Sequence, residues 1–343
     1  MKAMILAGGL STRLYPLTKQ VPKPLVPVAG VPNAVHLIRY LRAYGYDEIA
    51  INVHYLSEAI VAALGDGSRF GVRLTYSYEP ELLGSAGGVK KLQSFFGDES
   101  FVVVGCDDLT DLPLDRLTAF HKERNAIATI GLVECEEVDQ YGVVVVDDRG
   151  KVIGFQEKPA KGTERSKLAN TGIYAFSPAI FDRIPADEFY DFGKQVFPAL
   201  QTAGEPFYGF DARGAYWADI GTPGEYRRAS YDVVRGVFKI PGTRSDGVDP
   251  TAVLGEGVRT EGAVWVGARA RIGDGVTIVG PSVVGDDVTI EPNARIERTI
   301  LWAGATVGTN ATLYDSIVGI GYCVGPGTAL DGAVVANSVE AVS

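Results

Sequence analysis

Leu6-Ala7-Gly8-Gly9-Leu10-Ser11-Thr12-Arg13-Leu14-Tyr15-Pro16-Leu17-Thr18, followed by Pro22-Lys23-Pro24, stands at the start of the chain. The apolar residues 3–7 read as a strand, and the paired glycines end it in a turn where backbone can approach a ligand closely. Backbone N–H groups of such a turn can form a nest for an anion, and Arg13 and Lys23 add cations beside it. A plain tight turn also puts two glycines after a strand, so the loop alone leaves both readings open. Two familiar phosphate loops are excluded. No Gly-Lys-Ser/Thr follows at Walker A spacing, and the dinucleotide pattern G-x-G-x-x-G is missing.

Outward from this loop, residues 49–54, 73–78, 101–105 and 126–133 are further short apolar runs, while 33–44, 57–64 and 114–124 carry apolar residues at helical spacing. Strands separated by helices imply βαβ crossovers and a parallel sheet, whose ligands bind at the carboxyl ends of the strands. Past residue 126 come a hairpin over 141–158, turning at Asp147-Asp148-Arg149-Gly150, and β-rich stretches at 170–176 and 207–219. Together these predict an added lobe facing a second substrate.

Residues 238–250 are rich in Pro, Gly and Asp, and no helical periodicity follows. Leu254, Thr260, Val266, Ile272, Ile278, Val284, Ile290 and Ile296 then recur at every sixth position. After an interruption around Trp302 the pattern resumes at Val307 and Leu313, slips by one, and continues at Val318, Val324 and Leu330. It resembles the hexapeptide repeat of the left-handed parallel β-helix, whose inward aliphatics fill a triangular coil; an antiparallel sandwich would alternate at period two. Roughly four coils are expected. Their open ends predict a platform for self-association, hence a homo-oligomer.

With 343 residues, 46% of them hydrophobic, the chain exceeds one compact core, and two domains are expected. The boundaries fall at 1–238, a linker at 239–251, and 252–343. A formal net charge of −10 argues against a nucleic-acid partner. Cys106, Cys135 and Cys323 show no C-x-x-C spacing, so neither a disulfide framework nor a zinc site is indicated, and a reducing cytoplasm is expected. No run approaches the roughly 20 apolar residues that span a bilayer, so a soluble protein without membrane contact is expected.

Phe101-Val102-Val103-Val104-Gly105-Cys106-Asp107-Asp108 is an apolar strand ending in two carboxylates. Such a carboxylate can hold a hard cation against phosphate oxygens, and magnesium needs only one or two. A helix cap or a solvated turn would also use such a pair. The opening string, taken whole, resembles the G-G-x-G-T-R-L-x-P-L-T…P-K signature of the sugar nucleotidyltransferases, or NDP-sugar pyrophosphorylases. What the resemblance implies is a Rossmann-like, mostly parallel α/β nucleotidyltransferase domain followed by the left-handed β-helix. It also implies an enzyme that joins a nucleoside triphosphate to a sugar 1-phosphate and releases pyrophosphate.

In that family the loop wraps the triphosphate, which assigns Leu6, Ala7, Gly8, Gly9, Ser11, Thr12, Arg13 and Lys23 to the nucleotide. Asp107 falls on the family's G-D aspartate, with Cys106 replacing its glycine. Trp217-Ala218-Asp219-Ile220-Gly221-Thr222-Pro223 resembles the W-x-D-x-G-T-P segment, making Asp219 the second magnesium ligand. Asp108 is expected either to support the metal ligand from behind or to be structural. Ser11 departs from the usual glycine, so loop geometry depends on whether that backbone accepts a Cβ.

Tyr141-Gly142, Glu157-Lys158-Pro159 and Asn170-Thr171-Gly172 occur in the order of the family's sugar-phosphate lobe. The implied roles are sugar hydroxyls for Glu157 and Asn170, a backbone contact for Gly142, and the phosphate for Lys158, with Tyr141 and Thr171 alongside. Glu79-Pro80-Glu81-Leu82-Leu83-Gly84-Ser85-Ala86-Gly87 resembles the base-reading segment ending in L-G-T-A-G, which adds Glu79, Gly84 and Ser85 to the nucleotide site. Glu79 stands where uridylyl and thymidylyl enzymes usually carry glutamine. A carboxylate accepts two adjacent donors, and guanine alone presents two on its Watson–Crick edge. GTP with mannose 1-phosphate is therefore expected; a UTP- or dTTP-dependent glucose-1-phosphate enzyme is the alternative. A non-catalytic NDP-sugar-binding subunit would be expected to lose Arg13 or a metal aspartate. Acetyl transfer on the β-helix commonly needs a histidine base, and no histidine follows His121.

Overall fold

A computed structural model describes residues 1–239 and 245–337 of the chain. Strands β1 (Lys2–Leu6), β2 (Glu48–Val53), β3 (Arg73–Tyr78) and β4 (Phe101–Gly105) run parallel in the spatial order 3-2-1-4. Parallel strands are covered on both faces and need consecutive apolar residues. Residues 3–5, 49–51 and 102–104 accordingly have no solvent exposure.

The short strand β5 (Asp108–Thr110) follows, and the main sheet continues through β6 (Ala128–Glu134), β7 (Gly142–Val146), β8 (Val152–Glu157), β9 (Leu168–Phe176) and β10 (Phe207–Asp211). Here β9 runs antiparallel to β4, β6 and β7, β8 runs antiparallel to β7, and β10 runs parallel to β6. The sheet is thus parallel in its first half and largely antiparallel in its second. Hairpins need only a short turn, whereas each parallel step needs a crossover.

The longer helices of the α/β part are α1 (Asn33–Ala43), α2 (Ser57–Leu64), α3 (Gly84–Lys91), α4 (Leu114–Glu123) and α5 (Pro223–Val234). Helix α3 was not legible in the sequence, because three of its first five residues are glycine, a poor helix former. Packing overrides that preference. A Cβ at Gly87 would lie 2.6 Å from the Glu188 carbonyl oxygen, and one at Gly88 would lie 2.7 Å from Glu79 Oε1.

Contacts divide the chain into two compact units: Met1–Leu10 with Leu37–Trp217, and Ser11–His36 with the described part of Ala218–Ser343. The loop that carries Arg13 and Lys23 therefore groups with the β-helix. The expected linker at 239–251 marks a change of secondary structure, and its residues 240–244 lie outside the described residues.

The β-helix forms three parallel sheets of six, five and five strands. Its inward aliphatics, among them Val266, Ile272, Ile278, Val284, Ile290 and Ile296, make one buried core. Among the described residues five coils are present rather than four, for two reasons. The first strand, Gly247–Val248, already lies in the stretch read as linker. The repeat also continues through Trp302: Leu301 takes the inward place five residues after Ile296, and the spacing between paired strands falls from 18 residues to 17.

Trp302 instead meets Tyr226 of α5, donating from Nε1 to the Tyr226 hydroxyl at 2.9 Å with the rings edge to face. That hydroxyl donates onward to the Pro27 carbonyl at 2.7 Å. Gly30, at φ +71°, lies against Trp265, where a Cβ would run into the indole ring. In this unit the loop 11–36 is therefore bedded on α5 and the β-helix.

Candidate active site

In the first unit, β1 and β4 are neighbours, and Cys106 N–H donates to the Leu6 carbonyl at 3.0 Å just past their carboxyl ends. The strand order reverses here, the place where open α/β sheets bind ligands. Asn52 on β2 ties three segments together. Its Oδ1 accepts from Ala7 N–H at 2.8 Å, and its Nδ2 donates to Glu79 Oε1 at 2.9 Å. Gly8 must lack a side chain, because a Cβ would lie 2.7 Å from Asn52 Nδ2.

Glu79 is not a solvated loop residue: it is 3% exposed, and its Oε2 accepts from Leu83 N–H at 3.3 Å. A cavity of about 270 Å³ opens among Gly8, Gly9, Glu79, Leu82, Ser85 and Phe189, with Leu6 and Gly84 also on its wall. The first unit thus gathers Leu6, Gly8, Gly9, Glu79, Gly84 and Ser85 around one cavity, with Ala7 buried and its N–H already used. Asn52 and Phe189 were missed. Asn52 reads as an ordinary strand residue, and Phe189 lies about a hundred residues from the segment it joins.

Asp107 is partly exposed, and a Cβ at Gly105 would lie 2.9 Å from its Oδ1. Asp108 is buried and structural as expected, accepting from Gly105 N–H at 2.9 Å and from Trp217 Nε1 at 2.9 Å. Cys106 does not adopt the left-handed backbone region, so its backbone conformation does not require the family's glycine.

On the sugar side, register places Glu157 of β8 opposite Gly142 of β7. A Cβ at Gly142 would lie 3.2 Å from Asn170 Cβ and 3.3 Å from Glu157 Oε2, so these three residues are brought together. Asn170 Nδ2 donates to the Tyr174 hydroxyl at 3.1 Å, and its Oδ1 accepts from Gly172 N–H. Tyr141 packs edge to face on Trp217 at 4.9 Å. Lys158 carries φ +45°, a strained conformation for a side-chain-bearing residue.

Thr171 departs from expectation. It is 1% exposed, and its hydroxyl donates to the Gly131 carbonyl at 2.8 Å and accepts from Ile173 N–H, so it serves the sheet. Glu157 still reaches solvent, yet desolvation against the Gly193 backbone and the neighbouring Asp191 carboxylate push its carboxyl above the usual range. Asp191, also missed, accepts from Ser85 Oγ at 2.8 Å and caps the turn at Phe192–Val196. One residue thereby links the cavity wall to the sugar side.

In the second unit, Ser11 takes φ +57°, the conformation that glycine would adopt without strain. Its carbonyl accepts from the Thr18 hydroxyl at 2.7 Å, and the turn Thr12–Leu14 follows. Arg13 Nη2 and Lys23 Nζ each stand 4.0 Å from an Asp219 carboxylate oxygen, beyond hydrogen-bond reach. Arg13 and Lys23 thus both flank the Asp219 carboxylate. Arg13 is half exposed, while Lys23 and Asp219 are largely buried.

Residues 2–236 match the nucleotidyl transferase family model, and residues 260–343 match the GMPPB C-terminal domain. The chain belongs to the nucleotidyl transferase family. It is 41% identical to a UTP–glucose-1-phosphate uridylyltransferase of Synechocystis, over 96% of this chain and 90% of that one. It is 33% identical to a mannose-1-phosphate guanylyltransferase of Mycobacterium tuberculosis (86% and 83% covered) and 34% identical to one of Arabidopsis thaliana (93% and 86%). Among solved structures, a putative glucose-1-phosphate thymidylyltransferase of Bacillus anthracis superposes with a TM-score of 0.60 at 27% identity. That match covers 67% of this chain and 94% of the other. This nucleotidyl transferase is an enzyme that transfers a nucleotidyl group to a sugar 1-phosphate.

Its carboxylates fit a magnesium ion in kind. No group of three or more His, Cys, Asp or Glu side chains is gathered as a metal cage among the described residues, and magnesium held against phosphates needs none. The glycine at 221 leaves a cradle: a Cβ there would lie 2.6 Å from Asp219 Oδ1 and 2.9 Å from Arg13 Nη2. Gly105 does the same for Asp107. No helix among the described residues is long and apolar enough to cross a membrane.

Proposed function

We propose that this transferase uses GTP and mannose 1-phosphate, with magnesium as cofactor, to make the guanosine-diphosphate sugar and pyrophosphate. The observation that carries the choice of base is the buried Glu79 carboxylate beside the 270 Å³ cavity. Each of its oxygens has one protein donor and keeps a second lone pair, so the pair can accept guanine N1–H and the 2-amino group together. Uracil and thymine would set a carbonyl against it. Leaving such a buried group mismatched costs about 1–3 kcal/mol.

A sugar-phosphate oxygen attacks the α-phosphorus in line, and the bond to pyrophosphate breaks. The nucleophile is already an anion, so no Ser, Cys or His base is required; alignment and charge neutralisation do the work. Arg13 and Lys23 take triphosphate oxygens and Lys158 the sugar phosphate. Glu157, Asn170 and the Gly142 backbone hold sugar hydroxyls. Asp107 and Asp219 are the proposed ligands of magnesium, which when bound neutralises charge developing on the phosphates. The enzyme is further proposed to work in the cytoplasm as a homo-oligomer, with domains at 1–238 and 252–343.

Glu79→Gln tests the base assignment. The variant should move kcat/KM toward UTP or dTTP, relative to GTP, by about tenfold or more. An unchanged ratio would remove Glu79 from base recognition. The 41% identity to a uridylyltransferase favours a second reading, UTP with glucose 1-phosphate, in which Glu79 serves only to fix Asn52 and the Leu83 backbone.

A further inference from the structure

Phe189 leaves 55% of its surface in solvent, although burying a ring of that size is strongly favourable. The residues around it are not loose. Tyr190 N–H donates to the Leu83 carbonyl at 2.8 Å, and the Tyr190 carbonyl accepts from Ala86 N–H at 2.9 Å and Gly87 N–H at 3.0 Å. Ser85 Oγ donates to Asp191 at 2.8 Å and accepts from Phe192 N–H at 2.9 Å. Behind these bonds, the Phe192 and Phe197 rings are buried and stack at 5.4 Å.

The approach of the two segments is close enough to dictate sequence. A Cβ at Gly84 would lie 2.5 Å from the Tyr190 carbonyl oxygen and 3.3 Å from the Phe189 ring, and Gly84 also needs its φ of +73°. The glycines of the L-G-S-A-G stretch thus let residues 188–192 dock closely against it. The result is an aromatic face, held rigidly at the cavity wall together with Glu79 and Leu82.

We infer that Phe189 is the stacking platform for the nucleoside base, a specificity-determining contact alongside the hydrogen bonds assigned to Glu79. This rests on the nucleotide occupying the cavity, as proposed above. Stacking on an aromatic ring tolerates any base but rewards a larger face, so a purine gains more than a pyrimidine. The docked segment also accounts for Asp191: by fixing Ser85 it positions the platform.

Isothermal titration of the full chain with GTP, UTP and inorganic pyrophosphate, in magnesium buffer without sugar phosphate, tests the platform. Phe189→Ala should weaken GTP binding by roughly ten- to hundredfold and UTP less, while pyrophosphate binds as in the parent. Phe189→Tyr should keep parental affinity for both nucleotides. Parental affinity of Phe189→Ala for GTP overturns the inference, as does an equal loss of pyrophosphate binding, which would mark a collapsed loop. A parent chain that binds neither nucleotide defeats the underlying function and the platform with it, whereas a parent that binds them and an indifferent Phe189→Ala defeats the platform alone.

Discussion

The sheet of the first unit and the β-helix of the second bury aliphatic side chains equally well but spend their backbones differently. In the β-helix one rule repeats from Val266 onward: an aliphatic at every sixth position, with five-residue steps at Leu301 and Val318, points inward, and neighbouring coils supply the hydrogen bonds. In the sheet, the residues of interest lie where regularity stops. Gly8 faces Asn52, Gly88 faces Glu79, and Gly193 faces Glu157, each a position where one added carbon would collide. Within the second unit, too, interest concentrates where the coil shortens, because Trp302 beside the new corner engages Tyr226 and, through it, the loop at Pro27. Regular backbone supplies stability, and interrupted backbone supplies chemistry.

That contrast is open to attack by substitution. Asp107→Asn and Asp219→Asn should each lower turnover by about a hundred- to a thousandfold with the circular dichroism spectrum unchanged. Near-parental magnesium-dependent activity in both would take the chemistry away from these strand ends. Ile278→Ala, on the fully buried β-helix interior, should cost about 2–5 kcal/mol in stability yet leave kcat intact well below the melting temperature. A large loss of kcat with little change in Tm would reverse the division of labour.

Gly30→Ala sits where the two roles meet, since its side chain would enter the Trp265 ring at a left-handed φ. About 1–3 kcal/mol of strain should appear, with a higher KM for the nucleotide and a smaller change in kcat. An unaltered KM would uncouple the loop from its bed.

Two smaller effects sharpen the picture. The Glu157 carboxyl titrates above its ordinary range in the fold. Its stability contribution is therefore complete below the ordinary value, about 4.3, and is lost as pH rises through the raised one. Glu157→Gln should accordingly raise Tm at neutral pH, lose that advantage on acidification, and raise the KM for the sugar phosphate. A Tm difference that is independent of pH would contradict it. Ser11→Gly should relieve left-handed strain, changing stability by about 1 kcal/mol or less, as a denaturant titration can read.

Legibility in the sequence followed the same contrast. From Val266 onward the β-helix core was visible residue by residue, because its period is fixed; Leu254 and Thr260, read as the start of that repeat, lie exposed on the first coil, and the shortened corner at Leu301 and the early first strand hid a turn. Strands β1, β2 and β4 were visible because parallel strands covered on both faces must be continuously apolar. Helix α3 was invisible because its glycines answer to Tyr190, Glu188 and Glu79, partners that no local pattern reveals. Asn52, Phe189 and Asp191 were missed for the same reason: each acts across a long sequence separation. Thr171 was misplaced because a hydroxyl in a polar stretch gives no sign of whether the sheet or a ligand will take it.

The most direct measurement is pyrophosphate release by the full chain, with kcat/KM determined for GTP, UTP, dTTP, ATP and CTP against mannose and glucose 1-phosphates. Magnesium-dependent release that is fastest with GTP and mannose 1-phosphate is the predicted result. Preference for UTP, dTTP, ATP or CTP over GTP would contradict it.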